Sequence, residues 1–267
     1  MHKKRIITLL SDFGIKDPYV AEMKAVILSI CQEATIVDIS HDIKKFDIRM
    51  GAFILAQASP YFPEGTVHVA VVDPGVGTER RPIIIETKRG FYVGPDNGLL
   101  IPAARNDGIR CIYEIANPKY QLKTITKTFH GRDIFSPAAA YLASGISPSD
   151  FGPEVHDPIT PSFAETVVNG EKIRGEVVQI DDFGNVITNI GLKDLNKARI
   201  KEGMPIIMRL KSEELRLNFC STYGDAPKHA PLVLIGSSGL LEIAVNQGNA
   251  AKSFKIKIGD EVILKSS

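Results

Sequence analysis

Paired cysteines, the common catalytic signature loops and an excess of one charge are all missing from this chain. Each absence closes off a class of function. The three cysteines, Cys31, Cys111 and Cys220, are scattered and odd in number, with no CxxC. That argues against a disulfide framework and a thiolate metal site, and for a reducing, cytoplasmic setting. A formal net charge of +1 gives no reason to expect nucleic acid or an anionic membrane as partner. No apolar run reaches membrane-spanning length, because Ser11-Asp12 ends the first strand and Lys24 and Gln32 interrupt the first helix. Met1-His2-Lys3-Lys4 leads straight into a strand pattern rather than a signal peptide. No GxGxxG follows the first strand and no GxxxxGK(S/T) occurs, so a dinucleotide fold and a P-loop are not expected. HExxH and GxSxG are missing as well.

What is present describes an ordinary globular protein, 44% hydrophobic and 24% charged over 267 residues. That length is near the point where one core gives way to two, so two domains are expected. The chain is organised around Val67-His68-Val69-Ala70-Val71-Val72-Asp73-Pro74-Gly75-Val76-Gly77-Thr78-Glu79-Arg80. The apolar run predicts a strand buried on both faces. Asp-Pro-Gly-x-Gly then ends it and lets backbone come close to a ligand.

Around this stretch, strand and helix patterns alternate. Arg5 to Leu10 is a predicted strand ending in Ser11-Asp12-Phe13-Gly14. Tyr19 to Cys31 has helical spacing at Val20, Met23, Val26, Ile27 and Ile30, with Pro18 suited to the first turn. Thr35 to Ile39 predicts a second strand, and Ile48 to Ala58 a second helix stopped by Pro60. Pro82 to Thr87 and Gly90 to Gly94 follow as strands, then the turn Pro95-Asp96-Asn97-Gly98, and a last helix over Phe135 to Ser144. The alternation predicts an α/β domain with a mostly parallel, helix-covered sheet over 1–150. Residues 146–161 hold four prolines, which predicts a segment that wraps rather than packs. The connection is set at 151–171. Over 172–267 short strand-like runs divided by turns predict an all-β barrel or sandwich.

Several groups can carry chemistry. Asp12 and Asp73 each end a strand, so a parallel sheet brings both to the edge where ligands sit. The two oxygens of Asp12 can take both hydroxyls of a vicinal diol such as a ribose; a helix cap is the plainer reading. Asp73 with Arg80 is a candidate active-site pair, or a turn cap beside a solvated arginine. His130, in Thr128-Phe129-His130-Gly131-Arg132-Asp133, can move protons near neutral pH or simply bond to backbone. In the second domain, Asn185 can read a purine edge or serve a hairpin turn, and Ser237 and Ser238 suit a carboxylate. Glu242 in an apolar strand calls for a cation or ammonium group.

Taken together, Ser11-Asp12-Phe13-Gly14, Val72-Asp73-Pro74-Gly75-Val76-Gly77 with Arg80, Pro95-Asp96-Asn97-Gly98-Leu99-Leu100, the His130 motif, and Asp182-Phe183-Gly184-Asn185-Val186-Ile187-Thr188-Asn189 resemble the S-adenosyl-L-methionine (SAM) hydroxide adenosyltransferases, relatives of fluorinases and chlorinases. The resemblance spans nearly the whole chain, in matching order. It implies an N-terminal α/β domain, a C-terminal β-barrel, and a homotrimer with active sites between subunits. The implied reaction is SN2 attack of water or hydroxide at the ribose C5′ of SAM, giving adenosine and L-methionine with no cofactor or metal.

Asp73, Arg80 and His130 match the catalytic residues. Asp12 matches the ribose carboxylate, and Phe46 stands where an aromatic packs beside the sugar. Asn185 and Tyr223 match the adenine site, with backbone near Val245. Asp17, Asp181, Ser237 and Ser238 fall where the methionine ammonium and carboxylate are held, and Phe183 and Glu242 join the substrate-binding set. Halogenating relatives carry a tyrosine in place of Asp73, fluorinating ones a serine in place of Gly131, and an arginine near Ser238 for the methionine carboxylate. Two further readings stand beside this one: a metal-dependent hydrolase using Asp12, Asp73 and His130 as ligands, and a non-catalytic SAM or adenosine sensor.

Overall fold

The computed structural model describes residues 5–161, 165–210 and 213–266, and the chain divides into two compact units after Pro161. The N-terminal unit is built on six strands: β1 (Arg5–Ser11), β2 (Ala34–Ser40), β3 (Thr66–Val71), β4 (Pro82–Thr87), β5 (Gly90–Pro95) and β6 (Ile109–Glu114). They lie in the order β2-β1-β3-β5-β4-β6. The first four in that order run parallel, and β4 runs antiparallel to both its neighbours. All six residues of β3 are buried, as a central strand requires.

Helices cover both faces. α1 (Tyr19–Ile30) turns Val20, Met23 and Ile27 inward, and with α4 (Ser136–Ala143) it packs on Leu9, Val67, Val69 and Val71. α2 (Ile48–Ala58) starts at Asp47, whose side chain accepts the Met50 N–H, and packs with α3 (Ile101–Asp107) on the other face. β1 connects to β2 on one side and is flanked by β3 on the other, so the winding reverses between β1 and β3. In such sheets the crevice beyond those carboxyl ends is where ligands bind. Asp12 follows β1, and Asp73 comes two residues after β3.

α3 and β6 carry weak sequence signals. α3 has seven residues with Pro102 in its first turn, and β6 is a half-exposed edge strand. The proline-rich stretch packs as well as wraps. Phe151 is fully buried in the core, and Val155 N–H donates to the Ile112 carbonyl beside β6. Residues 162–164 of the expected connection lie outside the described residues.

On the α2 face of the sheet, His68 is buried, with Nδ1 2.8 Å from Thr8 Oγ1 and its ring stacked 4.9 Å from that of Tyr92. Burial pushes its pKa down to about 4, with the Arg89 charge adding to the effect. In the unfolded chain the ring titrates near 6.5, so between about pH 6.5 and 4 the unfolded state binds a proton that the fold excludes. This contribution is complete above pH 6.5 and lost as pH falls towards 4, by about 3 kcal/mol. Urea unfolding at pH 7 and pH 4.5 is expected to show a smaller acid loss for His68→Gln than for the parent. Equal losses would contradict the assignment.

The C-terminal unit is antiparallel. β7 (Val167–Asn169), β8 (Lys172–Ile180), β9 (Val186–Gly191), β10 (Pro205–Leu210), β11 (Glu213–Asn218), β12 (Pro231–Ile235), β13 (Leu240–Val245) and β14 (Glu261–Ser266) form one sheet. Its path runs β11-β10-β14-β8-β9-β13-β12, with β7 paired to β8 off that path. A bridge from Phe219 to Val233 of β12 brings the two ends together, so the sheet is nearly closed into a barrel. Two short helices, α5 (Leu192–Lys197) and α6 (Ala250–Ser253), lie between its strands in sequence. No helix among the described residues is long and apolar enough to cross a membrane.

Candidate active site

Asp73 sits where β3 gives way to Pro74-Gly75. Asn97 fixes this end of the strand, because its Nδ2 donates to the Val72 carbonyl at 2.9 Å. Arg80 returns across the loop and grips the carboxylate. Its Nε lies 2.9 Å from Asp73 Oδ2 and 3.1 Å from Oδ1, and its Nη2 donates to Oδ2 at 2.5 Å. The same Nη2 is 2.9 Å from His130 Nδ1. The side chains of Arg80 and Asp73 are only 8% and 5% exposed, so this is a desolvated pair rather than a surface one.

Two loops must meet for this contact. Gly77 has φ +76, and a Cβ there would stand 2.2 Å from the Lys127 carbonyl oxygen, so only glycine lets the 73–80 loop lie against residues 126–130. The second loop is held from behind by fully buried Asp133, whose carboxylate accepts from Thr126 N and Oγ1 and from Arg132 Nε. His130 leads into a π-type turn over Gly131–Phe135. Such turns recur at functional sites. Burial lowers the His130 pKa, and the Arg80 charge lowers it further against the opposing pull of Asp73 and Asp133.

Asp12, Phe46, Asp73 and His130 line one cavity of about 610 Å³ in the N-terminal unit. Asp12 is buried, and its Oδ2 accepts the Phe46 N–H at 2.9 Å while Lys45 Nζ donates to its carbonyl. Phe46 has φ +66 and a largely exposed ring. A left-handed residue with a side chain costs about 1–3 kcal/mol and persists only where its surroundings impose it. Asp17 is exposed before α1 and does not line this cavity.

Some lining residues have no sequence signal that singles them out. Phe13, Tyr19 and Phe129 form a cluster with ring centroids 5.1–5.8 Å apart. Glu22 and Arg132 pair at 2.8 Å on the wall. A Cβ on Gly131 would come within 3.2 Å of Phe129 and 3.3 Å of Met23 Sδ, so a serine there would need neighbours to shift.

The expected residues of the second unit form a cluster of their own. Asp181 accepts from Asn185 N at 2.8 Å and Nδ2 at 2.9 Å, which commits its carboxylate to Asn185. Tyr223 donates to Glu242 Oε2 at 2.8 Å. Glu242 thus meets a phenol within this chain. Burial pushes the Glu242 carboxyl up against the Tyr223 hydrogen bond, and the Asp181 charge adds to the rise. Ser238 Oγ is buried without a partner, Ser237 and Phe183 are exposed, and Val245 ends β13.

A metal ion on Asp12, Asp73 and His130 would compete for the Nδ1 lone pair of His130 that already accepts from Arg80. Among the described residues, no group of three or more His, Cys, Asp or Glu is arranged to hold one.

Residues 7–152 match the model of the SAM hydroxide adenosyltransferase N-terminal domain, and residues 175–263 that of its C-terminal domain. A Thermus thermophilus protein named (R)-S-adenosyl-L-methionine hydrolase is 40% identical, over 97% of this chain and 99% of its own length. A fluorinase of an Actinoplanes species is 31% identical over 95% of each chain. The crystal structure of an uncharacterized conserved protein from Thermotoga maritima superposes with a TM-score of 0.90 at 38% identity, covering 97% of this chain and 99% of that one.

Proposed function

The chain belongs to the SAM hydroxide adenosyltransferase family, and from that premise we propose how its residues hydrolyse SAM. Water attacks the ribose C5′. The new O–C5′ bond forms as the C5′–S bond breaks, and its electron pair returns to sulfur. Sulfur thus leaves as the neutral thioether of methionine, and one water proton has to go elsewhere.

Asp73 takes that proton. The observation that carries this reading is the contact between Arg80 Nη2 and His130 Nδ1. A guanidinium only donates, so Nδ1 offers its lone pair and the ring proton sits on Nε2. A neutral imidazole in that tautomer has a donor left for the cavity and no basic nitrogen free. His130 orients the water, and the carboxylate is the base. Asp73 Oδ1, with its single 3.1 Å contact, is the less engaged oxygen. Protonating it as the sulfonium disappears leaves the net charge of the site unchanged.

A protonated His130 would stand as a cation beside a sulfonium substrate and lose its bond to Arg80. Because its pKa is lowered, the ring stays neutral through pH 7. kcat/KM is therefore expected to be flat near neutrality and to fall only below about pH 6.5. His130→Asn, which still donates, should retain more activity than His130→Ala. A pH profile with its acid limb above 7, or equal losses in the two variants, would count against this role.

Asp12 holds the ribose hydroxyls and Phe46 packs beside the sugar. Asp181 turns the amide of Asn185 so that Oδ1 is left for the adenine amino group, with Tyr223 beside it and the backbone near Val245 completing that end. Asp17, Ser237 and Ser238 receive the amino-acid end of SAM. The active enzyme is a homotrimer, a reading supported by the family resemblance and tested by a solution mass three times that of the chain. Three unpaired cysteines support a cytoplasmic location. Incubation with SAM in ¹⁸O-water tests the reaction directly, and label in adenosine is the expected result. The Thermus relative is named for the (R) form, so the assay uses that form. Unlabelled adenosine would overturn attack at C5′ by water.

A further inference from the structure

Behind the cavity, Ser11, His41 and Asp38 form a chain of contacts that the reaction above does not use. His41 is 6% exposed and Ser11 1%. Ser11 Oγ lies 2.8 Å from His41 Nδ1, His41 Nε2 lies 3.2 Å from Asp38 Oδ1, and Lys24 Nζ donates to Asp38 Oδ2 at 2.6 Å. His41 Nε2 has no aligned hydrogen-bond partner, but the nearby Asp38 carboxylate favours the ring proton on that nitrogen, which leaves Nδ1 to offer its lone pair. The Ser11 hydroxyl then donates to Nδ1, and its oxygen accepts the Phe13 N–H at 3.3 Å. These are the residue types of a nucleophilic triad, yet Ser11 is buried and does not line the cavity, so its hydroxyl meets no substrate.

What the chain holds is backbone. Ser11 is the covalent neighbour of Asp12. The His41 carbonyl accepts the Gly14 N–H at 2.8 Å, which ties the segment opening at His41 to the end of β1. That segment closes at Phe46, whose N–H reaches back to Asp12 Oδ2 and whose φ of +66 needs outside support. The carboxylate and the ring in the cavity are therefore both tied to His41.

We propose that His41 is a positioning residue that fixes Asp12 and Phe46 for the nucleoside. This rests on the reading that Asp12 holds the ribose. The test measures kcat, KM for SAM and calorimetric adenosine affinity for His41→Ala, His41→Asn and Asp12→Ala. His41→Ala is expected to raise KM and the adenosine Kd by about tenfold, with kcat within about threefold of the parent. His41→Asn, whose amide oxygen can still accept the Ser11 hydroxyl, should recover part of that affinity. Unchanged KM and Kd in folded His41→Ala, or a fall in kcat alone, overturns the proposal. If His41→Ala does not fold, Ser11→Ala must show the same change confined to KM and Kd, and its absence overturns the proposal equally. Adenosine binding unaffected by Asp12→Ala would remove the ribose reading and this inference together. Weak binding in Asp12→Ala with normal binding in His41→Ala would remove the inference alone.

Discussion

Asp73→Asn is expected to lower kcat by about 10²–10⁴-fold while SAM still binds, the range associated with loss of a positioned general base. Asparagine keeps the shape of aspartate and one oxygen for Arg80, so the loop should stand. What it cannot do is take a proton from water. Adenosine release followed by chromatography, beside calorimetric binding of the product, separates loss of chemistry from loss of affinity. Turnover within about threefold of the parent would remove Asp73 from the reaction. A fall in affinity without a fall in kcat would assign it to binding instead.

Arg80→Met is expected to cost about 3–5 kcal/mol of stability as well as activity, because it strands a buried carboxylate beside a ring that has lost its donor. Asp73 is 5% exposed, so solvent cannot replace the guanidinium. The sharper expectation concerns the double variant. Asp73→Asn together with Arg80→Met removes both charges, and its denaturant midpoint should lie above that of Arg80→Met alone. A double variant less stable than either single one would mean that the pair is held for its packing rather than its charge. Arg80 also stacks over Phe135 at 5.2 Å, so some packing loss accompanies either change.

The sequence made some of this legible and not the rest, for reasons of range. Val67 to Val72 announced a buried strand, because apolar runs report burial on both faces. Asp12 and Asp73 could be brought to one edge, because parallel strands deliver their ends to the same side. α3 and β6 leave little trace in the sequence, because a seven-residue helix and a half-exposed edge strand carry little periodicity. Phe151 falls in the expected connecting segment although it is buried in the core, since four nearby prolines say nothing about the depth at which one aromatic side chain is buried. The contact of Arg80 with His130 spans 50 residues, and that of Ser11 with His41 spans 30. No local pattern encodes such pairings. Residue type proposed His130 as a proton carrier, and only its partner indicates which nitrogen holds the proton.

The missing side chain at Gly77 has a further consequence. Since the 73–80 turn rests directly on the Lys127 carbonyl, the acid, the guanidinium and the imidazole ride on a single welded joint and share one frame of reference. A descendant seeking a different nucleophile has little room to remodel these loops and must exchange the groups mounted on them.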